Sequence, residues 1–381
     1  MNYSINLIGV YDEMGKAKLI EMLKKKNFIY SSTSYFIYGL KFILEAVLLF
    51  IVKCNFKNKL YKIDTIIIPL FHGIGDAIIF TSCLHQIKDF FPEAKITLLT
   101  TERTKDILYD TFHDVIFINE INMGELRKFR NQFDLMIFPS RHMKHYLYAL
   151  SIQPKKIVGY NYSMKIRKKE SHIKRANRIA QEFGGSDSVD PCILLSKEHI
   201  DNAALLLSKW IQPTKEKYIS LIVGGRWRTK IYPNQKYYEI INYLIMNTDF
   251  QIVLIGDNNN LGKELEISQK RIINLCGQTT IHQVMGVISL SEIIIGPDGG
   301  LINIAMALNR KIIGIFGPVN PETIVSNKYL NQIIFQNKCP YQPCYNEEHE
   351  PNCPYSEPLC MQIDTQEIIR RINIVIQIEN R

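Results

Sequence analysis

Asp298-Gly299-Gly300 sits between an apolar run that ends Ile293-Ile294-Ile295-Gly296-Pro297 and an Ala-rich helical pattern that begins at Leu301. A helix opening behind two glycines presents bare N–H groups, a ready site for a phosphate or diphosphate. A second turn, Gly224-Gly225-Arg226-Trp227-Arg228-Thr229-Lys230, places three cations after another apolar run. Cations over a departing diphosphate stabilise the charge it gains, with no need of a metal. A third turn, Phe71-His72-Gly73-Ile74-Gly75-Asp76, follows Ile66-Ile67-Ile68-Pro69-Leu70 and opens a helical pattern. Gly73 and Gly75 let the backbone approach an anion, although Ile78 breaks the full dinucleotide fingerprint. Asp76 in that loop is either a capping carboxylate or a general base facing a cleft.

The elements that must position these turns alternate. Strand-like Ile66 to Leu70, Lys95 to Leu99, Val115 to Ile118 and Asp134 to Phe138 are separated by helical patterns over 76–90, 102–109 and 123–130. A second cycle follows a helical segment, Lys197 to Trp210, with strands at Tyr218 to Val223, Gln251 to Ile255, Ile272 to Leu275, Glu292 to Ile295 and Lys311 to Phe316. Such alternation predicts doubly wound parallel sheets, with the glycine turns on the carboxyl edges where open α/β sheets bind ligands. The expected organisation is a helical extension over 1–62, a first Rossmann-like domain over 63–205 and a second over 206–362. The last helix, 363–381, is expected to pack back across the hinge.

Charge and cysteine usage add three features. Residues 141–178 carry eleven Lys and Arg against Glu170 alone, so most of the formal charge of +9 lies in one block. That block either attracts an anionic partner or is a solvated loop; nucleic acid is disfavoured because no recognised module surrounds it. Residues 35–54 form an apolar run broken among charges only by Lys41 and Glu45, with Lys53 at its end. It is long enough to span a bilayer, but the two charges favour lying on the membrane, and a helix covering the first domain is the other reading. Cys339, Cys344, Cys353 and Cys360 crowd the C-terminal part at spacings unlike paired zinc knuckles, which leaves zinc, disulfides and free thiols open.

Taken in order, these pieces resemble glycosyltransferase family 9, the ADP-heptose:lipopolysaccharide heptosyltransferases with the GT-B fold. The resemblance covers about 63–376 and rests on the His72-Gly73-Ile74-Gly75-Asp76 loop, Phe91-Pro92-Glu93-Ala94, Gly224-Gly225 with Lys230 and Pro233, and Leu275-Cys276-Gly277-Gln278-Thr279-Thr280. The Asp298-Gly299-Gly300 turn, Phe316-Gly317-Pro318-Val319-Asn320-Pro321 and the tail Cys339 to Met361 complete it.

The resemblance implies an inverting, metal-independent transferase with no cofactor, in which Asp76 deprotonates the acceptor hydroxyl and His72, Gly73 and Gly75 shape the acceptor loop. Lys230, Asp298, Gly299, Gly300, Asn303, Gly224 and Asp257 would hold the donor, a nucleotide-diphosphate sugar such as ADP-heptose. The implied acceptor is an anionic glycolipid of the lipopolysaccharide core or a similar surface glycan. The implied location is the cytoplasm, with 35–54 a candidate peripheral contact on the inner membrane. In the family the last turn reads Asp-Thr-Gly-Pro-x-His, whereas here Gly299 replaces the Thr, Leu301 the Pro and Asn303 the His. A nucleotide-sugar epimerase on the same fold and a non-catalytic nucleotide-sugar binder are the alternatives.

Overall fold

The computed structural model describes residues 44–52, 62–71, 73–119, 123–140, 143–160, 170–211, 216–257, 259–266, 271–345 and 350–379. His72, Lys165 to Lys169 and the 35–54 run apart from 44–52 lie outside them. Residues 44–52 are helical.

The first sheet is fully parallel, in the order β3-β2-β1-β4-β5. Its strands are β1 (Thr65–Leu70), β2 (Lys95–Thr100), β3 (Ile116–Asn119), β4 (Leu135–Phe138) and β5 (Lys156–Gly159). Strands β1, β2, β4 and β5 are built largely from buried apolar residues, as strands covered on both faces require, while the edge strand β3 is exposed to half-buried. The connecting helices are α1 (Ile74–Phe90), α2 (Glu102–Leu108), the single-turn α3 (Met123–Leu126) and α4 (Met143–Ile152), with α5 (His172–Gln181) following the sheet. Helix α4 and strand β5 follow Phe138, where the sequence pattern announces no element. Helix α5 stands where the basic block was read, with Ile173, Ala176, Ile179 and Ala180 buried.

Several of the block's cations are engaged within the fold. Arg178 pairs with Glu170 at 2.5 Å, Lys155 pairs with Asp134 at 2.7 Å, and Lys156 lies over the Phe183 ring. The anionic-partner reading therefore loses these side chains.

Asp134 is also a brace for the strand entry. Its carboxylate accepts hydrogen bonds from the backbone N–H of Asp64 (2.9 Å) and Thr65 (3.0 Å) and from the Thr65 hydroxyl (3.0 Å). Burial alone would push this carboxyl up, but Lys155 and the donated N–H groups outweigh it and hold it below the usual carboxylate range. A depressed carboxylate stabilises the fold above its unfolded pKa of about 3.9, and that contribution is lost as pH falls through the folded value. Urea titrations are expected to show Asp134→Asn costing about 1–3 kcal/mol at pH 7 and much less below pH 3. Equal destabilisation at both pH values would show that the charge is immaterial.

The second sheet runs β11-β10-β9-β6-β7-β8, again parallel. Its strands are β6 (Tyr218–Val223), β7 (Gln251–Gly256), β8 (Ile272–Asn274), β9 (Ile293–Pro297), β10 (Ile312–Phe316) and β11 (Ile333–Phe335). Helix α6 (Lys197–Leu207) leads into it, followed by α7 (Asn234–Asn247), α8 (Asn259–Glu266), α9 (Ile281–Leu290), α10 (Gly300–Ala307) and α11 (Thr365–Glu379). Helix α11 packs on α7 and β10, with Ile368 and Ile372 buried in the second domain's own core. Its apolar stripe is consumed within that core.

Both sheets part at the point where the strand order reverses. In the first, β1 pairs with β4 only at Ile66 and Ile67; in the second, β6 pairs with β9 only from Ile219 to Leu221. Pro69 and Pro297, which have no N–H to give a ladder, stand beyond each split. The result is a crevice at the carboxyl edge of each sheet, where doubly wound folds take ligands.

Candidate active site

Each crevice receives one of the glycine turns. The loop after β1 opens α1 at Gly73, and the loop after β9 opens α10 at Gly299; neither cap residue has a side chain to satisfy the first-turn N–H groups. These two helix starts meet. A Cβ built on Gly75 would lie 2.6 Å from the Asn303 side-chain nitrogen, and one on Gly300 would touch Ile74 at 3.0 Å. One apolar cluster continues from Ala77 and Ile78 of α1 to Ile302 and Ala305 of α10, so the two domains are packed where the turns converge. Two positive helix ends therefore face one cleft, each favouring a nearby anion by about 0.3–1 kcal/mol.

Asp76 stands in the first turn of α1, exposed, with its backbone in the helix. Opposite it, the loop after β6 turns through Gly224 (φ 93°) and Gly225 (φ 156°), conformations that favour glycine. It ends at Lys230, whose ammonium lies 2.6 Å from a carboxylate oxygen of Asp298. The same ammonium sits over the rings of Trp227 at 4.6 Å and Tyr345 at 5.5 Å. Carboxylate and rings thus fix the lysine before any ligand arrives. Asp298 is 2 % exposed in its side chain and is reached by the lysine. Asn303 is buried against Gly75, and Asp257 is exposed just past β7.

Two cations of the second turn, Lys230 and Arg228, have different partners. Arg228 points away from the crevice and donates to the carbonyls of Tyr355 (2.9 Å), Ser356 (2.6 Å) and Cys353 (3.3 Å). Thr229 donates from its N–H and hydroxyl to Glu350 at 3.0 and 3.1 Å. The expectation that Arg228 lies over the diphosphate is corrected: it ties the lysine loop to the Cys-rich tail. Cys339, Cys344, Cys353 and Cys360 are free thiols lining a cavity of about 30 Å³ beside Thr229. Burial and the neighbouring thiols push Cys344 up to about 11 and Cys360 to about 12. Among the described residues, no group of three or more His, Cys, Asp or Glu is arranged to hold a metal ion.

Trp227, Tyr345 and Glu350 escaped the sequence reading. The aromatic residue three places before Lys230 was a usable signal; the partners beyond residue 340 were not, because only the fold brings them back.

Two Rossmann-like domains facing across a cleft, with a glycine turn from each, define the GT-B architecture. The profile of glycosyltransferase family 9 (heptosyltransferase) matches residues 133–353, and the chain belongs to that family. It is 31% identical over 127 residues to lipopolysaccharide heptosyltransferase 2 of Salmonella typhimurium, a stretch that covers 31% of this chain and 36% of that protein. The match therefore spans about a third of the relative's length. In structure it is similar to E. coli ADP-heptose lipopolysaccharide heptosyltransferase II (TM-score 0.66, 19% identity), covering 84% of this chain and 100% of that one. It is also similar to a family 9 glycosyl transferase of Veillonella parvula (TM-score 0.69, 14% identity), with 84% and 99% covered.

Proposed function

We propose that the protein is an inverting, metal-independent glycosyltransferase. It moves heptose or a related sugar from a nucleotide-diphosphate sugar to an anionic glycolipid of the lipopolysaccharide core or a similar surface glycan, at the cytoplasmic face of the inner membrane. One observation carries the reading: the helix start bearing Asp76 abuts the helix start bearing Gly300, with the Lys230–Asp298 pair beside it. The names of the curated relatives supply the sugar and the glycan class.

In this reaction the Asp76 carboxylate takes the proton of the acceptor hydroxyl as its oxygen attacks the anomeric carbon. The bond from that carbon to the diphosphate oxygen breaks on the opposite face, which inverts the configuration. Negative charge then grows on the leaving diphosphate, where Lys230 and the bare N–H groups at the start of α10 receive it. No step calls for a Lewis acid, because preset donors and a cation stand where charge develops. Asn303 offers a hydrogen bond but no positive charge where the family has His, so the phosphate field rests more heavily on Lys230.

The test is a panel of nucleotide sugars, ADP-heptose first, incubated with and without lipopolysaccharide core acceptor in the presence of a chelator. Nucleoside diphosphate release that needs the acceptor, with an inverted linkage by NMR, is expected. Release without acceptor would replace the reading with an epimerase, and dependence on an added or retained metal would overturn the metal-free step.

A further inference from the structure

The helical segment 44–52 has two unlike faces. Glu45, Leu48 and Val52 are buried, and Leu48 and Val52 pack into the cluster that holds Met136, Phe138 and Tyr146. Leu44, Val47, Phe50 and Ile51 are 47, 48, 47 and 37 % exposed, and they fall together on the side of the helix away from that core. Isolated exposed apolar residues are ordinary on soluble proteins, whereas four within eight residues make a contiguous patch. The remaining exposed large apolar side chains among the described residues are spread along the chain from Phe90 to Ile374.

We propose that this face of 44–52 docks on the surface of an anionic phospholipid bilayer. Charge selects the occupant. In sequence the segment is flanked by Lys41 on one side and by Lys53, Lys57 and Lys59 on the other, and its only acidic residue, Glu45, is turned into the protein. An apolar strip between lysines fits an interface of acyl chains and anionic headgroups. Because Glu45, Leu48 and Val52 are buried against the protein, only one side of the helix is open to lipid, and the segment lies along the surface. None of the helices among the described residues is long and apolar enough to cross.

The buried side of the helix is anchored near the acceptor loop. The cluster that receives Leu48 and Val52 has Phe71 packed on it; Phe71 meets Tyr148 edge-on at 5.2 Å, and Lys144 lies over its ring. Phe71 is the last described residue before the loop that carries Gly73 and Asp76. Resting on the proposed glycolipid acceptor, the docked face would present the acceptor's sugar to Asp76 while its lipid stays in the bilayer.

Flotation with phosphatidylglycerol/phosphatidylethanolamine vesicles tests the docking alone. The protein is expected to float with these and to remain in solution with pure phosphatidylcholine. The exposed pair V47D/F50D should weaken the anionic-vesicle partition at least tenfold, V47S/F50S by less, with unchanged thermal melts and unchanged turnover on a delipidated, water-soluble core acceptor. Failure of the wild-type protein to float, or undiminished flotation of V47D/F50D, overturns the proposal. Undiminished flotation with a light-scattering shift from dimer to monomer would reassign the face to a second copy of the chain. Loss of flotation with no turnover in any variant would leave the lipid contact standing and reject the transferase reading.

Discussion

Asp76→Asn is expected to lower kcat by about a thousandfold while leaving donor affinity and thermal stability near wild type. The substitution keeps shape and hydrogen-bonding reach but removes the only function the mechanism asks of this side chain, which is to accept a proton. Asp76 lies exposed in the first turn of α1, so loss of its favourable charge at the helix start costs about 0.3–1 kcal/mol. A thousandfold rate loss corresponds to about 4 kcal/mol, and that difference separates a base from a helix-stabilising carboxylate. Asp76→Glu, which keeps the charge but moves it, should recover part of the rate. Steady-state kinetics with a calorimetric donor titration decide the matter; near-normal kcat in Asp76→Asn would remove it from the mechanism.

The second large effect lies at Lys230. Lys230→Ala strips the cation from a carboxylate that is 2 % exposed, leaving Asp298 charged and unpaired at the place a diphosphate must approach. Breaking a buried pair from one side typically costs about 3–5 kcal/mol. Here that penalty combines with repulsion of the ligand, so donor affinity should fall by at least about a hundredfold, roughly 3 kcal/mol. Asp298→Asn should be milder for binding, because Trp227 and Tyr345 still hold the ammonium in place. The double change Lys230→Met with Asp298→Asn should then melt higher than Lys230→Ala while binding donor no better, a non-additivity expected of contacting residues. Equal donor affinity in Lys230→Ala and wild type would show that the lysine serves the fold alone.

How far the sequence could be read depended on where each signal resides. Apolar strands such as Ile66 to Leu70 and Tyr218 to Val223 announce themselves locally, and the glycine turns behind them mark the carboxyl edges, so the GT-B plan and most crevice residues were legible. Helix α4 and strand β5 were not, because Lys144, Lys155 and Lys156 and the polar His145 mask an amphipathic pattern whose buried side is His145, Tyr146, Tyr148, Ala149 and Ile152. Helix α5 was hidden in the same way by Lys174, Arg175 and Arg178 on its outer side. Arg228 was misplaced because its partners are backbone carbonyls, which leave no trace in residue types. The Gly75–Asn303 approach depends on the docking of two domains, and neither residue signals the other.

The meeting of two helix starts also bears on how the protein lets go. On the proposed reaction, the nucleoside diphosphate that leaves carries more negative charge than the sugar ester that entered. A field built from two aligned peptide dipoles and a preset ammonium therefore grips the spent nucleotide harder than the incoming donor. Its residence time is governed by how often α1 and α10 separate, and the packing of Ile74 on Gly300 resists that separation. Turnover would then follow the breathing of this seam, and slower solvent motion in viscous buffer would retard it even with the bond-breaking step unchanged.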